Sequence, residues 1–310
     1  MYGRKSVVGP VAAGLTGLLL LTACSGGDGN LIGGLGSGPE DLDEIEIAMI
    51  AWEEDVAVTH MWRAILEEKG YDVTVTDVDV ETAFEGVAAG DSDLYLDVWL
   101  PVTHHEYMEQ IRDRTESLGS WYENAVLTLT VPDYMEDVYS IDDLPGIADE
   151  LGNRIVGIDP GAGLTRVTRE ETMPGYGLDE DFELVTSSGA GMMAELDAAI
   201  AEREPIVVTL WRPHPAYAQY GLKDLEDPQG LMGGVESLHA LGREGFGADY
   251  PELSGWIEDW TMTDDELASL EAFTVGPDVT DPEQGARAWL AENPLFLERT
   301  LGEDAEGLEF

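Results

Sequence analysis

From position 44 onward, short apolar runs alternate with stretches of helical period, the pattern of an α/β fold. Residues 45–52 read as an apolar strand, and 58–69 as a helix that Gly70 stops. Residues 71–78 alternate and are β-branched, hence a second strand; 81–89 make a short helix ended by Gly90. A third strand over 93–99, a helix over 104–114 and a fourth strand over 124–131 follow. A second unit then opens with a strand at 154–158, a glycine-containing turn and a helix from about Leu164. Further strands are expected at 182–186, 206–211 and 235–240. Helices are expected at 191–202, 216–220, 250–260, 264–273 and 282–292.

Three of these strands finish in tryptophan: Trp52, Trp99 and Trp211. In open α/β sheets ligands bind just beyond the carboxyl ends of the strands, so three indoles placed there can converge on one cleft. One tryptophan at a strand end is ordinarily packing. Three at the same topological position point to a site, because indole packs there no better than leucine. Trp62, Trp121, Trp256, Trp260 and Trp289 are expected to pack in the core. A fourth strand end carries Gly161-Ala162-Gly163 and runs into a helix, where free N–H groups attract an anion and glycine lets it approach. The turn is neither a dinucleotide fingerprint nor a P-loop. An indole face attracts a cation, best a quaternary ammonium that no hydrogen bond can satisfy. The expected ligand is therefore small and zwitterionic, methylated ammonium at one end and carboxylate or phosphate at the other.

Charge narrows the partners. The 310 residues include 64 acidic and 15 basic side chains, a net charge of −49, and the lysines are Lys5, Lys69 and Lys223. Such a surface repels phosphate backbones and anionic headgroups, so neither nucleic acid nor a polybasic membrane contact is expected. A saline setting, where counterions screen the self-repulsion, is consistent with it.

The single cysteine, Cys24, excludes an intramolecular disulfide and a CxxC site. Arg4 and Lys5 precede an apolar run over 7–21, too short and too interrupted by glycine and proline for a comfortable span. That run ends in Leu21-Thr22-Ala23-Cys24, which resembles the bacterial lipobox. The resemblance implies a lipoprotein signal peptide over 1–23 and diacylglycerol on Cys24. Such a lipid would anchor the protein to the outer face of the cell membrane. Residues 24–43, rich in glycine and serine, read as a flexible tether.

Several motifs, in order, resemble the glycine betaine substrate-binding proteins of ABC transporters. They are Trp52 with Val58-Thr59-His60, Trp99-Leu-Pro-Val-Thr-His104, Gly157-Ile-Asp-Pro-Gly-Ala-Gly163, Ser187-Ser188-Gly189-Ala190, and Pro205 through Trp211-Arg-Pro-His214. The resemblance covers about 44–260. It implies a type II periplasmic-binding-protein fold: two α/β lobes joined by a hinge, closing on ligand in the cleft between them. Lobe I would comprise 44–132 plus 231–310, and lobe II 133–230. It also implies that Trp52, Trp99 and Trp211 cage the ammonium, and that Gly163, Leu164 and His104 hold the carboxylate. No cofactor and no catalysis are implied. The partners implied are an ABC permease and its ATPase.

Two departures bear on the ligand. Family members often carry a tryptophan after the final Pro-His, where this chain has Pro215. Glu54 stands where choline-binding relatives place an acid on the choline hydroxyl, although in so acidic a chain such a side chain is ordinarily solvated surface. Choline is thus the alternative ligand, and His104, needing an acceptor such as a carboxylate, stands against it. A second alternative is an enzyme acting on quaternary amines, with His104 and Glu54 as its only candidate groups. His104 and His105 do not share a helix face and have no completing ligands, so no metal site is expected. A hydrolase lacks its GxSxG.

Overall fold

The computed structural model describes residues 44–310. The expected signal peptide, the expected lipidation at Cys24 and the expected tether lie outside the described residues. Strand β1 (Glu44–Met49) leads into α1 (Glu53–Glu68), β2 (Asp72–Asp77) into α2 (Val80–Ala89), and β3 (Leu94–Leu100) into α3 (His105–Ile111). A long β4 (Thr115–Pro132) follows. Next come β5 (Arg154–Gly157), α4 (Gly163–Val167), α5 (Met173–Tyr176), β6 (Glu183–Thr186) and α6 (Gly189–Glu202). Then come β7 (Val208–Arg212), α7 (Ala216–Gln219), β8 (Leu222–Asp224) and β9 (Val235–Arg243). The chain ends in α8 (Phe246–Asp249), α9 (Pro251–Asp259), α10 (Asp264–Thr274), α11 (Pro282–Glu292) and α12 (Pro294–Leu301).

The strands form one sheet in the order β2-β1-β3-β9-β4-β7-β5-β6, with β8 beside β4. The β2-β1-β3 and β7-β5-β6 groups are each parallel, as strand–helix–strand crossovers require. β9 and β4 run antiparallel and join the two groups: β4 pairs with β9 through its first half and with β7 and β8 through its second. β3 is buried almost throughout, which is why it reads as an unbroken apolar run interrupted only by Asp97.

Helix α1 turns Ala57, Val58, Met61, Trp62, Ile65 and Leu66 inward, the stripe expected of 3.6-residue periodicity. Trp121 stacks on Trp260 at 4.5 Å, and Trp62 meets Trp260 edge-on at 5.5 Å. With Trp289 and Trp256 these rings are buried away from the strand-end tryptophans, as packing residues should be.

The element boundaries differ from expectation in instructive places. α1 begins at Glu53 and not near 58, because Asp55 caps the preceding turn: its carboxylate accepts from the Ile50 N–H at 2.7 Å and from the Thr59 hydroxyl at 3.0 Å. β4 begins nine residues earlier than the apolar pattern suggests. Its first half carries Ser117, Gly119 and Ser120, and register shifts at these residues break the alternation. His104 is the N-cap of α3 and not its first helical residue. α12 and β8 escape the pattern, the former as a two-turn helix opened by Pro294.

Candidate functional site

Trp52 sits at the turn from β1 into α1, as the N-cap of that helix. Trp99 and Trp211 lie one residue from the ends of β3 and β7. Their side chains meet. Trp52, Trp99, Trp211, His104, Gly163, Leu164 and Glu54 all line one cavity, with Thr103, Leu127, Ile158 and Ala162 completing the wall. The residues expected to cage the ammonium and hold the carboxylate, with Glu54, are therefore brought to one place. Thr103, Ile158 and Ala162 stand within the motifs but carry no individual role in them, and Leu127 is the wall residue that no motif contains.

Each indole is fixed by its ring N–H. Trp211 donates to Glu54 at 2.8 Å, Trp99 to Asp97 at 3.0 Å, and Trp52 reaches Asp159 at 3.5 Å. Asp97 is two residues before Trp99 on the same strand, so both side chains leave the same face. The expectation that Glu54 is solvated surface is corrected: it is 1% exposed, in the first turn of α1, drawn inward by the Trp211 N–H. Burial first, and then the negative charge of Asp97, holds the Glu54 carboxyl well above the usual carboxylate range. Asp97 is raised likewise, by burial and then by Asp55, against the opposing hydrogen bond from Trp99.

His104 faces the cavity in a defined protonation state. Its Nδ1 accepts the Trp99 backbone N–H at 3.0 Å, while the His104 backbone N–H donates to the Trp99 carbonyl at 3.0 Å. Nδ1 is thus an acceptor, and the ring proton belongs on Nε2. Nε2 is buried and has no partner. Burial, then the charge of Arg166, lowers the histidine to about 3, so the ring is neutral at physiological pH. The ring stacks on Trp52, centroids 6.0 Å apart and 12° from parallel, and Phe84 packs edge-on against it. The result is an oriented N–H donor without an acceptor.

Helix α4 starts at the same cavity. Gly163 and Leu164 are its first residues, the N-cap Ala162 offers no side-chain oxygen, and their N–H groups have no carbonyl within the helix to meet. The approach is close: a Cβ on Gly163 would stand 2.1 Å from the Thr103 carbonyl oxygen. The loop holding Thr103 is itself pinned. Buried Glu236 on β9 accepts from the N–H groups of Val102 and Thr103 at 2.7 and 2.9 Å and from the Thr103 hydroxyl. Arg166 donates to the Val102 carbonyl at 3.0 Å.

The arrangement offers, in one cavity, aromatic faces backed by carboxylates together with neutral N–H donors. It contains no oriented nucleophile–base pair. His104 Nδ1 is consumed by the backbone, and Glu54 is engaged by an indole.

Comparison with known proteins agrees. Residues 43–292 match the model of the substrate binding domain of ABC-type glycine betaine transport systems. The glycine betaine/carnitine transport binding protein GbuC of Listeria monocytogenes is 35% identical over 151 residues, 48% of this chain and 49% of that protein. The matched stretch thus spans about half the length of that curated relative. The glycine betaine, L-proline-binding protein ProX from Borrelia burgdorferi superposes with a TM-score of 0.79 at 30% identity, covering 86% of this chain and 99% of that one. Lactococcal OpuAC, in its closed form with glycine betaine, gives 0.77 at 29% identity over 83% of this chain and 99% of that one. A choline-binding protein in complex with choline gives 0.78 at 25% identity over 86% and 94%. The expected fold is borne out as the mixed α/β periplasmic-binding-protein fold, and the expected non-enzymatic role agrees with the family. The chain belongs to the family of substrate-binding proteins of ABC-type glycine betaine transport systems.

Proposed function

We propose that the cavity binds glycine betaine or a closely related betaine, and that the protein hands this ligand to an ABC permease and its ATPase. The methylated ammonium would lie among Trp52, Trp99 and Trp211, and the carboxylate against His104 Nε2 and the N–H groups of Gly163 and Leu164. The observation that carries this reading is the pairing, in one buried cavity, of three indoles with a neutral histidine donor that has no acceptor. A desolvated ammonium–indole contact contributes roughly 1–2 kcal/mol. Three such contacts and charge-assisted bonds to the carboxylate support affinity in the micromolar range, about −8 kcal/mol.

Closure on the ligand follows from the same geometry. Residues 44–132 with 231–310 would form one lobe and 133–230 the other, with β4 passing between them. The contacts that join the two sets around the cavity include these: Trp211 to Glu54, Trp52 to Asp159, Arg166 to Val102, and the Tyr107 hydroxyl to the Gly161 carbonyl at 2.9 Å. An open form would break all four. Lipidation of Cys24, supported by the Leu21-Thr22-Ala23-Cys24 run, would hold the protein at the outer membrane face; the mass of its mature N-terminal peptide tests this.

Choline is the second reading, favoured by the presence of Glu54 in the cavity wall. A thermal-shift panel separates them. At about a hundred times the dissociation constant, a ligand stabilises the folded state by about 2.7 kcal/mol. Glycine betaine and proline betaine are expected to give this shift at lower concentration than choline, which leaves the His104 donor unpaired. A larger shift with choline would reverse the ranking, and no shift with any quaternary amine would overturn the proposal.

A further inference from the structure

The tryptophans of the cavity do not end in water or on backbone carbonyls. The two innermost, Trp211 and Trp99, end on Glu54 and Asp97, whose side chains are 1% and 0% exposed. Asp97 Oδ2 has no hydrogen-bond partner at all. Among the described residues no lysine or arginine forms an ion pair with either carboxylate. Two buried acids without a counter-cation are an expense that an apolar or amide pair of the same shape would avoid.

We propose that Glu54 and Asp97 are the charge-bearing positioning residues of the cage: each fixes one indole through its ring N–H, and together they make the cavity select a permanent cation over a neutral group of the same shape. This rests on the reading of the cavity as an ammonium site. Two effects act in the same direction. A hydrogen bond to an anion polarises the indole and makes its face more negative towards the cation. The carboxylate charges also attract the ammonium directly, through a medium that screens them far less than water does. The cation that offsets the buried charge is then the ligand itself.

A pH dependence follows. The groups facing the pair are Glu53 and Asp55 on α1, Tyr95 on β3 and Glu271 on α10. Asp77 on β2 acts on Asp55, and His214 lies 3.2 Å from Glu53. Burial raises both carboxyls above their ordinary range, with the charge of Asp97 adding at Glu54 and that of Asp55 at Asp97, so without ligand the pair retains protons that an exposed pair would release. A bound cation favours the ionised form and expels protons. Affinity therefore rises with pH through the raised range and is weakest below it, where the pair is neutral. His104, already neutral, does not contribute to this slope.

The test compares glycine betaine with its tert-butyl analogue, in which carbon replaces nitrogen, by calorimetry on wild type, Glu54→Gln and Asp97→Asn between about pH 5 and pH 9. Gln and Asn keep an oxygen for the indole N–H and lose the charge. Wild type is expected to release protons on binding betaine, and to bind it about fivefold or more tightly at the alkaline end than at the acid end. At the alkaline end each substitution is expected to lower betaine affinity about tenfold, narrow the preference over the tert-butyl analogue and flatten the pH profile. If both variants weaken the two ligands equally and keep the wild-type profile, the residues only hold the rings and the inference is wrong. Variants that bind as wild type overturn it too, with the betaine reading intact. A folded wild-type protein that binds no betaine at any pH overturns that reading instead.

Discussion

Alanine at position 163 is expected to cut glycine betaine affinity by about five- to a hundredfold, the equivalent of about 1–3 kcal/mol of overpacking. The methyl group has nowhere to go. It would stand 2.1 Å from the Thr103 carbonyl oxygen, 2.6 Å from its methyl and 2.8 Å from its carbonyl carbon. Thr103 cannot yield cheaply, because Glu236 holds its N–H and hydroxyl and Arg166 holds the neighbouring carbonyl. The start of α4 must therefore retreat, and the N–H groups of Gly163 and Leu164 retreat with it. Because Thr103 and Gly163 belong to the two sides that would close on ligand, the loss appears as a smaller population of the binding-competent form. Gly161→Ala is the control two residues away. Its Cβ would meet Val80 Cγ1 at 3.4 Å, ordinary contact, and affinity should stay close to wild type. Calorimetric titration of both variants checks this; equal affinities for Gly163→Ala and wild type would contradict the placement of the carboxylate.

Trp99→Ala and Trp211→Ala should each weaken betaine binding by about tenfold or more. One desolvated cation–π contact is worth about 1–2 kcal/mol, and truncation also loosens the neighbouring rings. Each truncation further strips a buried carboxylate of its indole donor, Asp97 in the first case and Glu54 in the second. Stability should fall too, by about 3–5 kcal/mol for a buried tryptophan. Trp289→Ala separates the effects. This ring is fully buried among Phe296 and Ser269, remote from the cavity wall. It should cost similar stability and leave the affinity of the folded protein unchanged. If Trp99→Ala and Trp211→Ala bind as tightly as Trp289→Ala, the indoles are packing residues after all.

What the sequence revealed and what it hid have a common physical basis. Strand-end tryptophans and a glycine turn before a helix are local signals, and the fold places them at one cavity because the two parallel groups run in opposite senses, so the carboxyl ends of β1 and β3 face those of β5 and β7. Glu54 was hidden because its fate is decided 157 residues away, by the Trp211 ring N–H that draws it inside. In a chain with 64 acids, nothing local marks one as buried. Asp97 was passed over although it carried a local signal: a lone acid in an otherwise apolar strand, two residues before a tryptophan on the same face, needs a buried donor. Glu236 gave no signal, since its partners are the N–H groups of a loop more than a hundred residues earlier. The first half of β4 was missed for another reason. Its pairing with β9 slips at several points, so period-two alternation never develops.

The most direct measurement is a crystal structure of the protein grown with glycine betaine. The account predicts one betaine in the cavity, its nitrogen within about 6 Å of the ring centres of Trp52, Trp99 and Trp211. Its carboxylate should lie at about 2.7–3.1 Å from His104 Nε2 and from the N–H groups of Gly163 and Leu164. Betaine bound elsewhere, or turned so that its carboxylate faces Glu54 and Asp97, would contradict it.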